Sequence, residues 1–247
     1  MGFIAVLACT LAFSLVFKDA IRKAPGAFYC LALLASVLYA ATSFVSLPLS
    51  LQMLLFQLMQ KGTLATALFV VVMYMGVFRD VRFVRQRLLP TRATLSIVAC
   101  ILALGHVAKY AVSFAPALAS LAPSVAWGLA LGAVAFALMA ILGVTSFQAV
   151  KRRMGTQAWT ALQRWAYLFY ALLFAHIALF LAPASIQSPL GASGERLIAY
   201  TAVFGIYALL RTGKAIYDLL LGRARHVRRS QIAATTEPDD QASATAR

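Results

Sequence analysis

Two histidines are the residues of this chain whose type and position could do chemistry. Counted from the starts of two long apolar segments, at Arg92 and Leu162, His106 and His176 each lie fourteen residues along. At about 1.5 Å of rise per residue, both imidazoles lie about 21 Å along their helices, at one depth. Two neutral imidazoles on facing helices can supply both axial ligands of a six-coordinate haem iron. The alternative is that each one hydrogen-bonds a neighbouring helix and only stabilises packing.

Neighbouring residues are compatible with a cofactor at this depth. Lys109 and Tyr110, one turn beyond His106, could reach a haem propionate, although the same pair could anchor the helix at a membrane surface. Three glycines nearby could leave room for a flat macrocycle, or could allow close helix packing. They are Gly105, Gly128 and Gly132.

Carboxylates are absent from the apolar segments, and this excludes several function classes. Without a buried Asp or Glu, proton-coupled transport, paired-carboxylate hydrolysis and di-iron carboxylate chemistry lack their usual residues. A retinal protein is also disfavoured, because Lys214 lies at the end of the last apolar segment and has no buried counter-ion.

Membrane-spanning helices must position the histidines. The chain has 247 residues, of which 62% are apolar and 12% charged, whereas a soluble domain is about half apolar and a quarter charged. We predict an all-α, polytopic helix bundle with seven transmembrane helices, at residues 3–17, 27–47, 62–78, 93–114, 124–147, 161–182 and 197–217. The stretch Leu49–Met59 is too short to span, so it lies along the interface or extends the third helix.

The basic residues predict the orientation of the bundle. The chain carries 22 Lys+Arg against 7 Asp+Glu, and seventeen of the basic residues fall in alternate loops on one side. The opposite loops hold only Lys61 and Arg196. Because Lys and Arg accumulate on the cytoplasmic side, the N-terminus is predicted outside and the C-terminus inside. The expected partner of this charge is the lipid bilayer, with no nucleic-acid binding.

Composition also predicts three regions. Residues 1–25 form an anchor helix with a basic loop, and residues 26–221 form the main transmembrane domain. Residues 222–247 form a cytoplasmic tail that is basic at first. From Ser230 onward the tail lacks aromatic residues and is expected to be disordered.

Two segments carry a recognisable pattern. In order, the segment 142–181 has Thr145-Ser146 at the end of a span, the basic loop Lys151–Arg153, Trp159, the element LQRW at 162–165, and His176 thirteen residues after Gln163. The segment ILALGHVAKY (101–110) has His106 followed by a tyrosine. Both resemble the ferric reductase-like transmembrane domain superfamily, and in particular the haem-binding membrane subunit of the bacterial methionine sulfoxide reductase system.

The resemblance covers the second to the seventh predicted helix. It implies one haem b in the outer half of the bilayer, with His106 and His176 as axial ligands of the iron and with Lys109 and Tyr110 beside it. The implied function is a cytochrome b-like protein of the bacterial cytoplasmic membrane. Its donor would be quinol or a cytoplasmic flavoprotein, and its acceptor a redox partner or a metal at the outer face. The alternative is a non-catalytic membrane anchor or assembly subunit without haem.

The chain departs from the family pattern at two points. Gln163 stands where the family often has a second, inner histidine, so a second haem is not expected. No nicotinamide- or flavin-binding domain is recognisable, so any oxidation of NAD(P)H is expected on another polypeptide. A flavin or a quinone could occupy the inner half, but no residue identifies such a site.

Overall fold

The computed structural model describes the backbone of residues 2–236 and the side chains of residues 2–117 and 120–220. All regular secondary structure in this part of the chain is helical, as predicted. Its twelve α-helices are α1 (Phe3–Val16), α2 (Lys18–Lys23), α3 (Pro25–Ala41), α4 (Leu49–Met59), α5 (Thr63–Val77), α6 (Arg82–Arg87), α7 (Arg92–Phe114), α8 (Pro123–Val144), α9 (Gln148–Arg153), α10 (Thr156–Gln163), α11 (Ala166–Gln187) and α12 (Ala192–Thr236).

Four stretches of the described residues are long and apolar enough to cross a membrane. They are Leu49–Val77, Leu89–Ala117, Pro123–Val144 and Thr156–Gln187. Helices α1 and α3 are apolar but shorter. The prediction of a polytopic helical membrane protein is therefore confirmed, whereas the count of seven spans and the orientation of the termini stay predictions.

Helix boundaries differ from the predicted spans where local chemistry ends a helix. Helix α3 stops at Ala41 instead of reaching residue 47, and the Thr42 hydroxyl donates to the Tyr39 carbonyl at 2.7 Å. Such a local bond offers the backbone an alternative to helix, and Pro48 disfavours helix just before it. Further along, the predicted span 161–182 falls within the stretch Thr156–Gln187, in which residues 164 and 165 separate α10 from α11.

Helix α5 lies at the centre of the bundle. Its side chains from Ala65 to Met73 are all buried, and it packs against α1 and α7. Helix α7 also packs against α3, and α8 pairs with α11. On α3 and α8, by contrast, large apolar side chains such as Leu34 and Val134 are exposed, as expected for surfaces that face lipid.

Glycines set the closest helix contacts. A Cβ added to Gly105 of α7 would lie 2.6 Å from the Cβ of Ser36 on α3. Between α8 and α11, a Cβ on Gly128 would lie 2.7 Å from the Phe180 ring, and one on Gly132 would meet the His176 ring at the same distance. These three glycines therefore admit neighbouring side chains, which corresponds to the packing interpretation and not to space kept for a macrocycle.

Helices α4 and α5 meet at a sharp turn, here called the elbow (residues 60–62). Lys61 has φ 62° and Gly62 has φ 65°, both in the left-handed region. That conformation is accessible to glycine but unfavourable for a lysine. The elbow explains the apolar stretch Leu49–Met59, which forms a helix of its own instead of continuing α5 directly.

By their contacts, residues 1–204 form one compact unit and residues 205 onward another. The first unit contains α1 to α11 and the start of α12, and the candidate site lies entirely within it. In the second unit the backbone is helical to Thr236. Of the predicted tail 222–247, all side chains and the backbone of residues 237–247 lie outside the described residues. The predicted regions 1–25, 26–221 and 222–247 stay predictions.

Candidate functional site

A cavity of about 440 Å³ lies between α4, the elbow, α7, α11 and the start of α12. This volume falls in the range of about 300–1,000 Å³ that is typical of ligand-binding pockets. His106 and His176 both line it, as does Tyr110. Most of the remaining wall is aromatic or aliphatic. The structure therefore brings the two histidines to one cavity, although they are 70 positions apart in the chain.

The His176 ring is held by α8. Its Nδ1 atom lies 2.8 Å from the backbone carbonyl of Gly128, which can only accept a hydrogen bond. The proton of the neutral ring is therefore on Nδ1, and Nε2 keeps its lone pair. Gly132 completes the support, because its missing side chain leaves the space that the ring occupies. This is how metal-ligating histidines are usually oriented.

His106 lies on α7 and packs against the elbow. A Cβ added to Gly62 would be in van der Waals contact with the ring, at 3.7 Å. The Met59 carbonyl interacts with the imidazole, but the buried Nδ1 atom has no hydrogen-bond partner of normal geometry. The ring is also close enough to His176 for the two to interact electrostatically. A buried polar atom without a well-formed hydrogen bond is uncommon in native proteins, so this ring is a candidate for a role beyond packing.

Two imidazoles on one cavity fit a haem better than an isolated metal ion. No group of three or more His, Cys, Asp or Glu side chains lies together within the described residues, as a zinc-type site would require. A haem needs only two axial ligands from the protein, since its macrocycle supplies the other four nitrogens. The donor set, the burial of both rings and the fixed tautomer of His176 all suit that group.

Of the other two predicted site residues, Tyr110 lines the cavity and Lys109 does not. The Tyr110 ring lies 4.7 Å from the His106 ring, centroid to centroid, and lines the cavity. Lys109 is not among the residues that line it. Its Nζ atom donates hydrogen bonds to Thr42 at 2.7 Å and Ser43 at 3.0 Å. The same atom lies 5.2 Å from the centre of the Tyr39 ring and 5.4 Å from that of Phe56, which lines the cavity. The role of Lys109 at a propionate stays a prediction.

Two cations that sequence reasoning did not assign to the site also line the cavity. Lys61 belongs to the elbow, and Arg196 lies in the first turns of α12. The available signal was their position, because they are the two basic residues of the predicted outer loops. Lys and Arg are usually less frequent in outer loops, so these two basic residues are candidates for a specific role.

The region around Cys100 on α7, the end of α8 and α10 is closely packed. Gln163 donates to the Thr145 hydroxyl at 3.3 Å, and the Trp159 indole donates to the Thr145 carbonyl at 3.0 Å. A Cβ on Gly143 would lie 2.9 Å from the Cys100 sulfur. The cavity that remains there is about 40 Å³, so a second macrocycle would have to displace these side chains.

Comparisons with known proteins agree with the resemblance seen in the sequence. The family model of the ferric reductase like transmembrane component matches residues 61–174, a stretch that includes His106 and ends two residues before His176. An uncharacterized protein of Treponema pallidum (strain Nichols) is 38% identical over 160 residues, which cover 63% of this chain and 44% of the relative. The match therefore spans less than half of the relative's length. No solved structure matches the chain significantly.

Proposed function

Because residues 61–174 match the ferric reductase-like transmembrane component, we propose that this multi-pass membrane protein transfers electrons and binds one haem b between His106 and His176. The observation that carries the proposal is the convergence of the two imidazoles on one cavity, with the tautomer of His176 set by Gly128. The proposed site lies on α7 and α11, where the sequence pattern of the family is also recognisable.

The chain contributes ligation, orientation and the exclusion of water. Gly128 and Gly132 orient the His176 ring, and the elbow restrains the His106 ring. Phe56, on α4, adds to an apolar wall that keeps water from the site. A haem bound there would supply the one-electron ferric/ferrous couple, whose potential depends on axial ligands and burial.

The electron donor is proposed to be quinol or a cytoplasmic flavoprotein, and the acceptor a redox partner or a metal at the outer face. Both proposals depend on the predicted orientation, which places the histidine end of the bundle outside. The bacterial relative supports a location in a bacterial cytoplasmic membrane. A closer kinship with the haem-binding subunit of the methionine sulfoxide reductase system belongs to the same proposal.

The test is a dithionite-reduced minus air-oxidised absorption spectrum of detergent-purified protein, with a pyridine haemochrome assay for haem per chain. We expect a b-type α band and about one haem per chain. His106→Ala and His176→Ala should each abolish the six-coordinate spectrum, because each removes one axial ligand. His226→Ala, at the chain's third histidine, is the matched control and should leave the spectrum unchanged. Six-coordinate haem retained in both variants would contradict the proposal.

A non-catalytic anchor or assembly subunit is the second candidate. The hydrogen bond from His176 to Gly128 favours it, because polar contacts between helices also stabilise membrane proteins that hold no cofactor. Protein purified without haem from haem-replete cells would support this function instead.

A further inference from the structure

Lys61 and Arg196 are a pair of cations in the wall of the cavity that His106 and His176 line. Both side chains line it, and they lie close enough for their charges to interact. Within the described residues, the ion pairs lie on α2 and just before α6, and neither Lys61 nor Arg196 takes part in one. Glu195 is adjacent to Arg196 in the sequence, but no carboxylate of the described residues forms an ion pair with either cation. Two like charges brought together in this way raise the free energy of the protein unless an anion binds between them.

Contacts near both residues fix the backbone from which these cations project. The backbone amide of Lys61 interacts with the Tyr110 hydroxyl, and the left-handed elbow fixes where the lysine leaves the chain. Arg196 precedes Tyr200 by one helical turn, and the Tyr200 hydroxyl interacts with Thr63 at the start of α5. The pair therefore belongs to a built site, since its two elements are joined beside the cavity.

The cavity needs such a pair if it holds a haem, because haem b carries two propionate carboxylates on one edge. We propose that Lys61 and Arg196 are a carboxylate-binding pair that holds the propionates of that haem. This inference rests on the proposed function, and it assigns to Lys61 and Arg196 the contact that the sequence suggested for Lys109. Lys109 already donates hydrogen bonds to Thr42 and Ser43.

A thermodynamic cycle tests the assignment through affinity and not through activity. The full-length apo-protein, purified from haem-deficient cells, is titrated with haem and with haem dimethyl ester, whose propionates carry no charge. Wild-type protein should bind haem about tenfold or more tightly than the ester, because hydrogen bonds to ionised carboxylates are stronger than those to uncharged esters. In Lys61→Gln and in Arg196→Gln this preference should shrink, and in the double variant it should vanish.

Matched variants make the result specific. Lys61→Arg keeps the charge and should keep the preference for haem. Arg152→Gln removes an exposed cation of α9 that does not line the cavity, and this variant should behave as wild type. Lys109→Gln should also retain the preference for haem over the ester. If Lys109→Gln lost this preference while Lys61→Gln and Arg196→Gln kept it, the proposal would be overturned.

The remaining outcomes separate this proposal from the proposed function. Wild-type protein that binds no haem would overturn both. Haem bound with axial histidines, but with the same preference for haem over the ester in every variant, would overturn only the assignment of the pair. If Lys61→Gln and Arg196→Gln keep that preference and slow the oxidation of reduced protein by ferric citrate, the pair binds an anionic acceptor instead of propionates.

Discussion

At the scale of single residues, the site depends on the neighbouring groups that pack against each histidine or hydrogen-bond to it. His176 can occupy its position because Gly132 has no side chain, and its ring is oriented by one backbone carbonyl, that of Gly128. His106 is supported differently, by the elbow and by the adjacent Tyr110 ring. The two proposed ligands are therefore sensitive to different neighbouring substitutions.

Gly132→Ala should impair haem binding without changing a ligand. The new Cβ would lie 2.7 Å from two atoms of the His176 ring, so the ring or α8 must shift. Overpacking of this kind costs about 1–3 kcal/mol, which corresponds to a loss of about tenfold in haem affinity. Haem content and the α band measure the effect. Gly26→Ala is the control, because nothing lies within 4 Å of its added Cβ, and an equal loss there would contradict the explanation.

Gln163→His should not create a second haem site. The variant restores a histidine where the family often has one, but the adjoining cavity is only about 40 Å³ and α7 has no histidine towards that end. The pyridine haemochrome assay should still give about one haem per chain. A value near two would show that the packing around Cys100 opens to admit a macrocycle.

At the scale of elements, two helix pairs hold the site. The α8–α11 pair presents His176, and its antiparallel register appears in the contacts, since Gly128 meets Phe180 while Gly132 meets His176. The α3–α7 pair presents His106 and closes at Gly105 against Ser36, whose hydroxyl donates to the Ile101 carbonyl at 2.9 Å. Small residues at both crossings allow close approach of the backbones.

Gly105→Ala should separate α3 from α7 and lower stability. The added Cβ would lie 2.8 Å from the Ser36 Cα, a backbone atom that moves only with its helix. We expect a loss of about 1–3 kcal/mol, measured as a lower midpoint of thermal unfolding in detergent. Gly76→Ala is the matched control on α5, because its Cβ would reach only the end of the Arg92 side chain, at 4.0 Å. Similar losses in both variants would argue against a specific contact at Gly105.

At the scale of the whole molecule, charge and apolar surface describe a protein that lies in a bilayer. Large side chains such as Trp127 (70% exposed) and Leu34 (55% exposed) would be unfavourable in water but are expected against lipid. Basic residues cluster in alternate loops and predict which side faces the cytoplasm. The orientation matters for function, because it decides whether the histidine cavity opens to the outer face.

Cysteine labelling tests this topology. With the three native cysteines replaced, Ser188→Cys in the turn before α12 should react with an impermeant maleimide on intact spheroplasts. Gln86→Cys on α6 should react only after permeabilisation, because three predicted spans separate the two positions. Both substituted residues are exposed. Labelling of both from one side would mean an even number of spans between them, and reversed labelling would invert the orientation.

The sequence by itself determined the helical membrane class and the approximate position of each apolar helix, and it identified the two histidines that line one cavity. These follow from local properties, since hydropathy, helical rise and the spacing of residues are readable along one chain. It misjudged the end of α3, where the Thr42 hydroxyl bonds to the Tyr39 carbonyl and the helix ends at Ala41.

Only the tertiary structure decided which side chains share the cavity with the histidines. It brought Lys61 and Arg196, which are 135 positions apart in the chain, to the wall of this cavity. It also directed Lys109 towards Thr42. It also showed that Gly132 accommodates the His176 ring. The physical reason is that such contacts depend on helix crossings and on one left-handed turn, and no pattern within a single helix specifies its neighbours.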